Sequence, residues 1–464
     1  MNKNELFETA KPAKALAIMA LPTIASQVIL LVYNLADTWF IGRTKDPYMI
    51  AASSLVLTVY LAVVALANVF GVGGSSLMVR LMGEKKNDDA RKVASYSIAI
   101  SFIAALIFSL LILIFMKPLL YLLGASENTF EYGRQYLIAT AVIGGIPTVL
   151  AMDMPMLLRN AGYSKEAGIG VALGGILNIL LDPLFMFVLL PKGNEVLGAG
   201  IATMLSNIIS CLFFVVVFKK VGKNTILELP KRLEHIGPVN VRSFYSVGIP
   251  AAFAVFLFDL VTMVINKQTA AYGDIHLAAI GIVLKLERIP LNVGLGICLG
   301  MVPLVAYNYT SGDHKRMYRF VSLARIAILA VSFICIIAFW FFAKQITGAF
   351  IDDEETVAYG VTFLKGRCFA MPFMLIGYHV VNFMNAIGKG KVSFGLAILR
   401  HLILIIPILF IMKAIWGLDG LVWSQVVADV LNAVVASVIL LLIMKGISSD
   451  SEGKQLQITK GGNS

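Results

Sequence analysis

The stretch KKVGKNTILELPKRLEHIGPVNVRS, Lys219–Ser243, is the one sizeable polar segment in the middle of this 464-residue chain. Pro230, Gly237 and Pro238 punctuate it, and on either side the sequence is built from long apolar runs. A helix that crosses a bilayer needs about 20 predominantly apolar residues. Twelve runs qualify, at roughly 14–41, 50–79, 93–116, 134–157, 166–190, 198–218, 244–272, 276–308, 319–342, 360–384, 392–412 and 420–444. The linker divides them six and six. With 59% hydrophobic residues, 14% charged residues and a mean hydropathy of +0.85, the chain is too apolar for a soluble protein of this length. The reading is an all-α membrane protein of twelve transmembrane helices. It has an N-terminal lobe over 1–218, a cytoplasmic linker over 219–243, a C-terminal lobe over 244–445 and a flexible cytoplasmic tail over 446–464. The first run continues past the length of a signal-peptide core and carries no small-residue cleavage site before the next segment, so it reads as a retained span.

The two halves begin alike. Leu21-Pro22 in the first span has a counterpart in Ile249-Pro250 in the seventh. After the second span of each half comes a polar turn, Gly83-Glu84-Lys85-Lys86 and then Gly312-Asp313-His314-Lys315. The prolines are 228 residues apart and the glycines 229. Six spans per half give both halves the same orientation, hence a parallel repeat about an axis along the membrane normal, an arrangement that transporters use. Pro22 and Pro183 each remove a backbone N–H and leave the carbonyl four residues earlier without its helical partner. A static kink and a hinge both fit that loss.

The formal net charge of +11 invites a nucleic-acid partner, but its distribution points elsewhere. With a cytoplasmic N-terminus and alternating spans, most Lys and Arg fall on the inner side, as the positive-inside rule requires. The richest inner loops hold Arg80, Lys85, Lys86, Arg91 and Lys92, then Lys219, Lys220, Lys223, Lys231, Arg232 and Arg242. The acidic run Asp352, Asp353, Glu354 and Glu355 falls outside, and Trp39, Trp340 and Trp416 lie near outer span ends. The basic excess therefore sets orientation and meets anionic headgroups; nucleic acid is not implied. Cys211, Cys298, Cys335 and Cys368 are scattered singly, with neither metal-ligand spacing nor a disulfide framework.

An ionised side chain inside a bilayer costs at least about 2.5–3.5 kcal/mol, so intramembrane carboxylates call for a cause. Asp37 lies in the first span and Asp182 in the fifth, within Leu177-Asn178-Ile179-Leu180-Leu181-Asp182-Pro183. Asn178 and Asp182 are four apart and share one helical face. An amide oxygen and a carboxylate on one stripe are hard oxygen ligands, suited to sodium or to a proton in a hydrogen-bond network. Counted back from Arg43 and Lys192 at about 1.5 Å per residue, both carboxylates sit in the outer half of the membrane at similar depth. If they converge, two like charges removed from water call for a proton or a bound cation between them. A purely structural pair satisfied by Ser, Thr or Asn neighbours is the competing reading.

The C-terminal half carries Lys285-Leu286-Glu287-Arg288 in span 8, where Glu287 either lines a pathway or belongs to an internally neutralised cluster. Asp259, Asp153 and Asp429 are further intramembrane acids, and His379 and His401 lack ligand spacing. No GxxxxGK[ST] phosphate cradle, zinc motif or nucleophile triad stands out, so neither ATP drive nor an enzyme is implied.

These residues resemble the multidrug and toxic compound extrusion (MATE) transporters, and within them the bacterial branch of MepA-like exporters. The resemblance rests on Pro22 with Asp37, Gly83-Glu84, Leu158-Arg159-Asn160-Ala161-Gly162, Asn178 to Pro183, Gly198-Ala199-Gly200-Ile201-Ala202-Thr203 and Pro303-Leu304-Val305-Ala306-Tyr307-Asn308-Tyr309, and runs from about residue 14 to 445. It implies two pseudo-symmetric six-helix bundles, rocker-switch alternating access, and export of cationic amphipathic organic compounds against inward flow of protons or sodium. It also implies a cation site at Asp37, Asn178, Asp182 and Thr203, with Glu287, Lys285, Asp259 and Asp153 as secondary coupling or substrate residues and Pro22 as a helix-bending element. The expected partners are small organic cations and the bilayer of a bacterial cell membrane. A monomer with both termini cytoplasmic is expected, and no cofactor beyond the coupling ion. Some family members place a coupling acid in span 10; here the middle of that span has none, which moves the expectation to the N-terminal half. A lipid-linked precursor flippase or a narrow metabolite exporter of the same superfamily is the alternative; the outer-half acids suit cations better than phosphorylated lipids.

Overall fold

The computed structural model describes residues 3–44, 46–222, 225–351 and 353–461, with side chains between residues 5 and 449. Lys223, Asp352 and the side chains of the tail beyond residue 449 lie outside the described residues. Among the described residues every regular element is helical: α1 (Lys3–Glu8), α2 (Pro12–Gly42), α3 (Pro47–Gly83), α4 (Asn87–Ile114), α5 (Met116–Leu122), α6 (Glu127–Leu137), α7 (Gly145–Asn160), α8 (Ser164–Pro183), α9 (Glu195–Gly222), α10 (Gly237–Ala270), α11 (Asp274–Thr310), α12 (His314–Gly348), α13 (Glu354–Arg367), α14 (Met371–Ala386), α15 (Gly390–Ile398) and α16 (Ile406–Gly461). Three π-helical segments, Ile138–Ile143, Leu184–Leu189 and Leu399–Ile405, join α6 to α7, extend α8 and join α15 to α16.

Ten of these helical runs are long and apolar enough to cross a membrane, and α6 with α7 forms an eleventh, bent by 48°. The run Gly390–Ser449 is 60 residues long. At about 1.5 Å per residue that is three times the roughly 30 Å of a hydrocarbon core. It is broken at Gly417, whose φ of 59° and ψ of −128° are not helical. Arg400 and Asp429, 29 residues apart, form an ion pair at 2.7 Å, which a straight helix could not allow. The chain therefore reverses at Gly417, and the run supplies two spans, giving the expected twelve. A side chain is poorly tolerated at such a backbone conformation. Gly417→Ala should cost about 1–3 kcal/mol, read as a lowered unfolding midpoint of the purified protein in detergent.

The repeat reappears in the backbone. Left-handed residues close the same spans in both halves: Lys85 and Gly312, Gly162 and Gly388, Gly193 and Gly417. The second span of each half also carries an unbroken buried run, Gly73–Val79 in α3 and Met301–Asn308 in α11. Such all-round burial marks a helix packed on every side. Phe256, Phe341, Leu180, Val188 and Leu442, by contrast, are each more than half exposed, as lipid-facing side chains must be.

The chain forms two compact units, Ile18–Phe253 and Met1–Ala17 with Ala254–Ser464. The divisions fall within α2 and α10, close to Pro22 and Pro250, and the linker belongs to the first unit. α2 remains a continuous helix across Pro22. Beside that proline the carbonyl of Met19 accepts the hydroxyls of Thr23 at 2.9 Å and Ser164 at 2.6 Å.

In the second unit, α1 docks on α11 and α12. Phe7 is buried and stacks on Tyr307 with ring centroids 4.9 Å apart. Its carbonyl accepts from Asn308 Nδ2 at 3.2 Å and from Arg316 Nε at 2.9 Å, and Glu8 accepts from the Tyr307 hydroxyl. The motif Pro303 to Tyr309 thus anchors the N-terminal segment. Truncating a fully buried Phe typically costs about 3–5 kcal/mol. That exceeds what a six-residue helix can hold by itself, so Phe7→Ala should release α1, seen as trypsin cleavage at Lys11 and Lys14 that the wild type resists.

Candidate functional site

Small residues bring α2, α8 and α9 close enough to share a polar centre. A Cβ at Gly168 would lie 2.7 Å from the carbonyl oxygen of Pro22, and one at Gly175 would lie 2.8 Å from Ile29 Cγ2. At the start of α9, a Cβ at Gly198 would lie 2.8 Å from the backbone of Phe185 and Met186, in the π-helical segment beyond Asp182 and Pro183. Small residues at such crossings let backbones approach. Further along α9, Thr203 then meets α8, and its hydroxyl accepts from Asn178 Nδ2 at 3.2 Å.

Asp182 is 0% exposed and Asn178 is 1% exposed, while Asp37 is half-buried. Asp37 and Asp182 lie within electrostatic reach of each other. Four oxygens in this group lack a hydrogen-bond partner although shielded from solvent: Asp37 Oδ1, Asn178 Oδ1 and both oxygens of Asp182. All four are acceptors. Only a donor proton or a cation satisfies such a set, and hard oxygen ligands suit sodium among cations. No group of three or more His, Cys, Asp or Glu capable of holding a metal occurs among the described residues.

Tyrosines complete the surroundings and were not legible in the sequence. Tyr33 and Tyr60 lie within hydrogen-bonding reach of each other, Tyr60 also of Asn207, and Asn207 Nδ2 donates to Thr148 Oγ1 at 2.9 Å. Tyr33, Tyr60 and Tyr136 lie within electrostatic reach of Asp37, and Tyr136 also of Asp182. At helical spacing a tyrosine in an apolar span looks like packing; the only signal was its hydroxyl.

The other acids are distributed differently. Asp153, fully buried in α7, accepts from Ser101 Oγ at 2.6 Å and from Ser97 Oγ at 3.2 Å, both on α4. In α11, Glu287 is held bidentately by Arg367, with Nε to Oε1 at 2.7 Å and Nη2 to Oε2 at 2.9 Å. Lys285 is exposed, and Asp259 lies within electrostatic reach of Arg288. Asp429 is paired with Arg400 and accepts from Gln425 Nε2 at 2.6 Å. His379 Nε2 meets the Val321 carbonyl at 3.1 Å, and His401 packs edge-on against Phe258.

The MatE family model matches this chain twice, over residues 22–184 and 250–411. The chain belongs to the MatE family. The two matches start on Pro22 and Pro250, the prolines that open the repeat. Among MATE relatives, "Multidrug export protein MepA" of Staphylococcus aureus is 30% identical over 445 residues, covering 96% of this chain and 97% of its own. The protein of the same name from Staphylococcus saprophyticus is 28% identical over 446 residues, covering 96% and 97%. Among solved structures, a MATE in complex with MaL6 superposes with a TM-score of 0.91 at 21% identity, over 97% of this chain and 100% of the other. An outward-facing multidrug resistance MATE transporter of the MOP superfamily matches with a TM-score of 0.91 at 21% identity, over 97% and 99%. At that identity the structures establish a shared MATE fold, and the family match and relatives establish a MepA-like MATE protein.

Proposed function

We propose that this MATE protein is a cation-coupled antiporter that exports cationic amphipathic organic compounds. The observation that carries the proposal is the cluster of four partnerless acceptor oxygens on Asp37, Asn178 and Asp182. The multidrug-export names of the relatives supply the substrate class. Protons or sodium ions entering from outside neutralise Asp37 and Asp182, with Asn178 and Thr203 completing the oxygen shell. An organic cation competes for the same negative charge, so the two cannot be held together and exchange is obligatory. Pro22 bends α2 as the charge changes, alternating access follows the rocker-switch pattern, and both termini face the cytoplasm.

The test is efflux of a fluorescent cationic dye from proteoliposomes containing the purified protein. Proton and sodium gradients are imposed separately. Transport driven by one gradient and stalled without it is expected, and names the coupling ion. Dye movement that ignores both gradients, or continuous conductance in place of saturable exchange, would contradict antiport.

A further inference from the structure

Asp153 differs from the cation cluster in having a partner for each oxygen. It is 0% exposed, and so are its two partners on α4, Ser97 and Ser101. The backbone of α3 closes another side. A Cβ at Gly71 would lie 3.3 Å from Asp153 Cα and 3.4 Å from its Oδ1, and one at Gly74 would lie 2.4 Å from Ser97 Oγ. Among the described residues no charged or titratable side chain from any packed helix acts on Asp153. Its contacts are two hydroxyls, too few oxygens to complete the shell of a metal cation. Counting protons then fixes the form of the carboxyl. Ser97 has one hydroxyl proton, and the Phe70 carbonyl, 3.0 Å away, can only accept it. Asp153 Oδ1 lies 3.2 Å from the same Oγ and is left facing a lone pair. An ionised carboxylate buried without a countercharge is strongly disfavoured, whereas an apolar site can keep a carboxylic acid neutral so that it donates.

We propose that Asp153 is a resident proton site, a carboxylic acid whose Oδ1–H donates to Ser97 Oγ while Oδ2 accepts from Ser101. With that proton in place the Ser97 contact runs from Asp153 to the serine, and every donor in the chain Ser101, Asp153, Ser97 and Phe70 has an acceptor. The proton ties α7 to α4 and α4 to α3, a satisfied network that holds three helices in one arrangement. Asp37, Asn178 and Asp182 present acceptors without partners, open to an incoming ion; Asp153 presents none. Asp153 therefore keeps its proton and stays outside the exchange proposed for the cation cluster.

The test is infrared difference spectroscopy of the full-length protein in detergent, wild type minus Asp153→Asn, with no gradient applied, so its outcome is separate from cation coupling. Asparagine keeps a donor toward Ser97 and an acceptor toward Ser101, so the variant preserves the packing. The wild type should show a carboxylic-acid carbonyl band that Asp153→Asn removes and that persists from neutral into alkaline pH. Ser101→Ala takes away the donor to Oδ2 and should move the same band to higher wavenumber. No acid band removed by Asp153→Asn, a band that fades between neutral and mildly alkaline pH, or a band indifferent to Ser101→Ala overturns the assignment. If Asp153→Asn does not yield folded protein, the Ser101→Ala shift and the persistence of the shifted band at alkaline pH decide.

Discussion

Asp182→Asn is expected to lower gradient-driven dye export about 10- to 100-fold while leaving the protein folded. Both carboxylate oxygens of Asp182 lack a hydrogen-bond partner in the structure, so the substitution breaks no existing bond. It removes a buried charge, which by itself does not destabilise. The unfolding midpoint should stay level or rise. Transport behaves oppositely, because an amide can neither take up a proton at neutral pH nor supply full negative charge to a cation. Losing one charged ligand is worth roughly 1.5–3 kcal/mol, and each 1.4 kcal/mol is tenfold in occupancy. Asp37→Asn should act in the same direction, since Asp37 also has a shielded oxygen without a partner. Export is compared in proteoliposomes at matched protein density, with the wild type beside both variants. Near-normal export by both would sink the assignment of the cation site to this cluster. Thr203→Ala, which removes only a neutral hydroxyl bonded to Asn178, should cost less than either.

The sequence made the N-terminal candidate cluster legible because its cues are local. Asn178 and Asp182 are four apart in a helix, Pro183 follows at once, and a carboxylate among Leu and Ile is conspicuous. Asp37 could be matched to it by depth alone. The C-terminal half misleads for a physical reason. Lys285, Glu287 and Arg288 are close in sequence and invite pairing among themselves, whereas Glu287 is bound by Arg367, 80 residues further on. Successive residues on a helix point in different directions, so proximity along the chain says little about which charge answers which. Arg367, the cation at the end of α13, has no acid near it in sequence that would reveal its partner. The π-helical segments that place Arg400 and His401, and that follow Pro183, have no periodicity to read. The twelve spans were visible from composition. The break at Gly417 together with the ion pair between Arg400 and Asp429 shows why the longest helical run counts twice.

That pair also carries the largest expected effect on stability. Asp429 is 0% exposed and Arg400 5% exposed. Their contact at 2.7 Å is joined by Gln425 on the carboxylate and Tyr378 on the guanidinium. Removing one member of a buried pair leaves the other charged, desolvated and unanswered, at a cost of about 3–5 kcal/mol. Arg400→Met should therefore lower stability by about that amount, measured by denaturation in mixed micelles. The pair itself is not the source of that sum. Replacing both partners by apolar groups is often neutral or better, so Arg400→Met combined with Asp429→Leu should recover most of the loss. Arg367→Met should cost less than Arg400→Met, because the Glu287 side chain is 15% exposed, leaving its carboxylate a route to water. The order that follows is Arg400→Met most damaging, Arg367→Met intermediate and the double substitution mildest. A double variant as unstable as Arg400→Met would mean that the guanidinium supports the fold through Tyr378 and packing, with the charge of Asp429 playing no part.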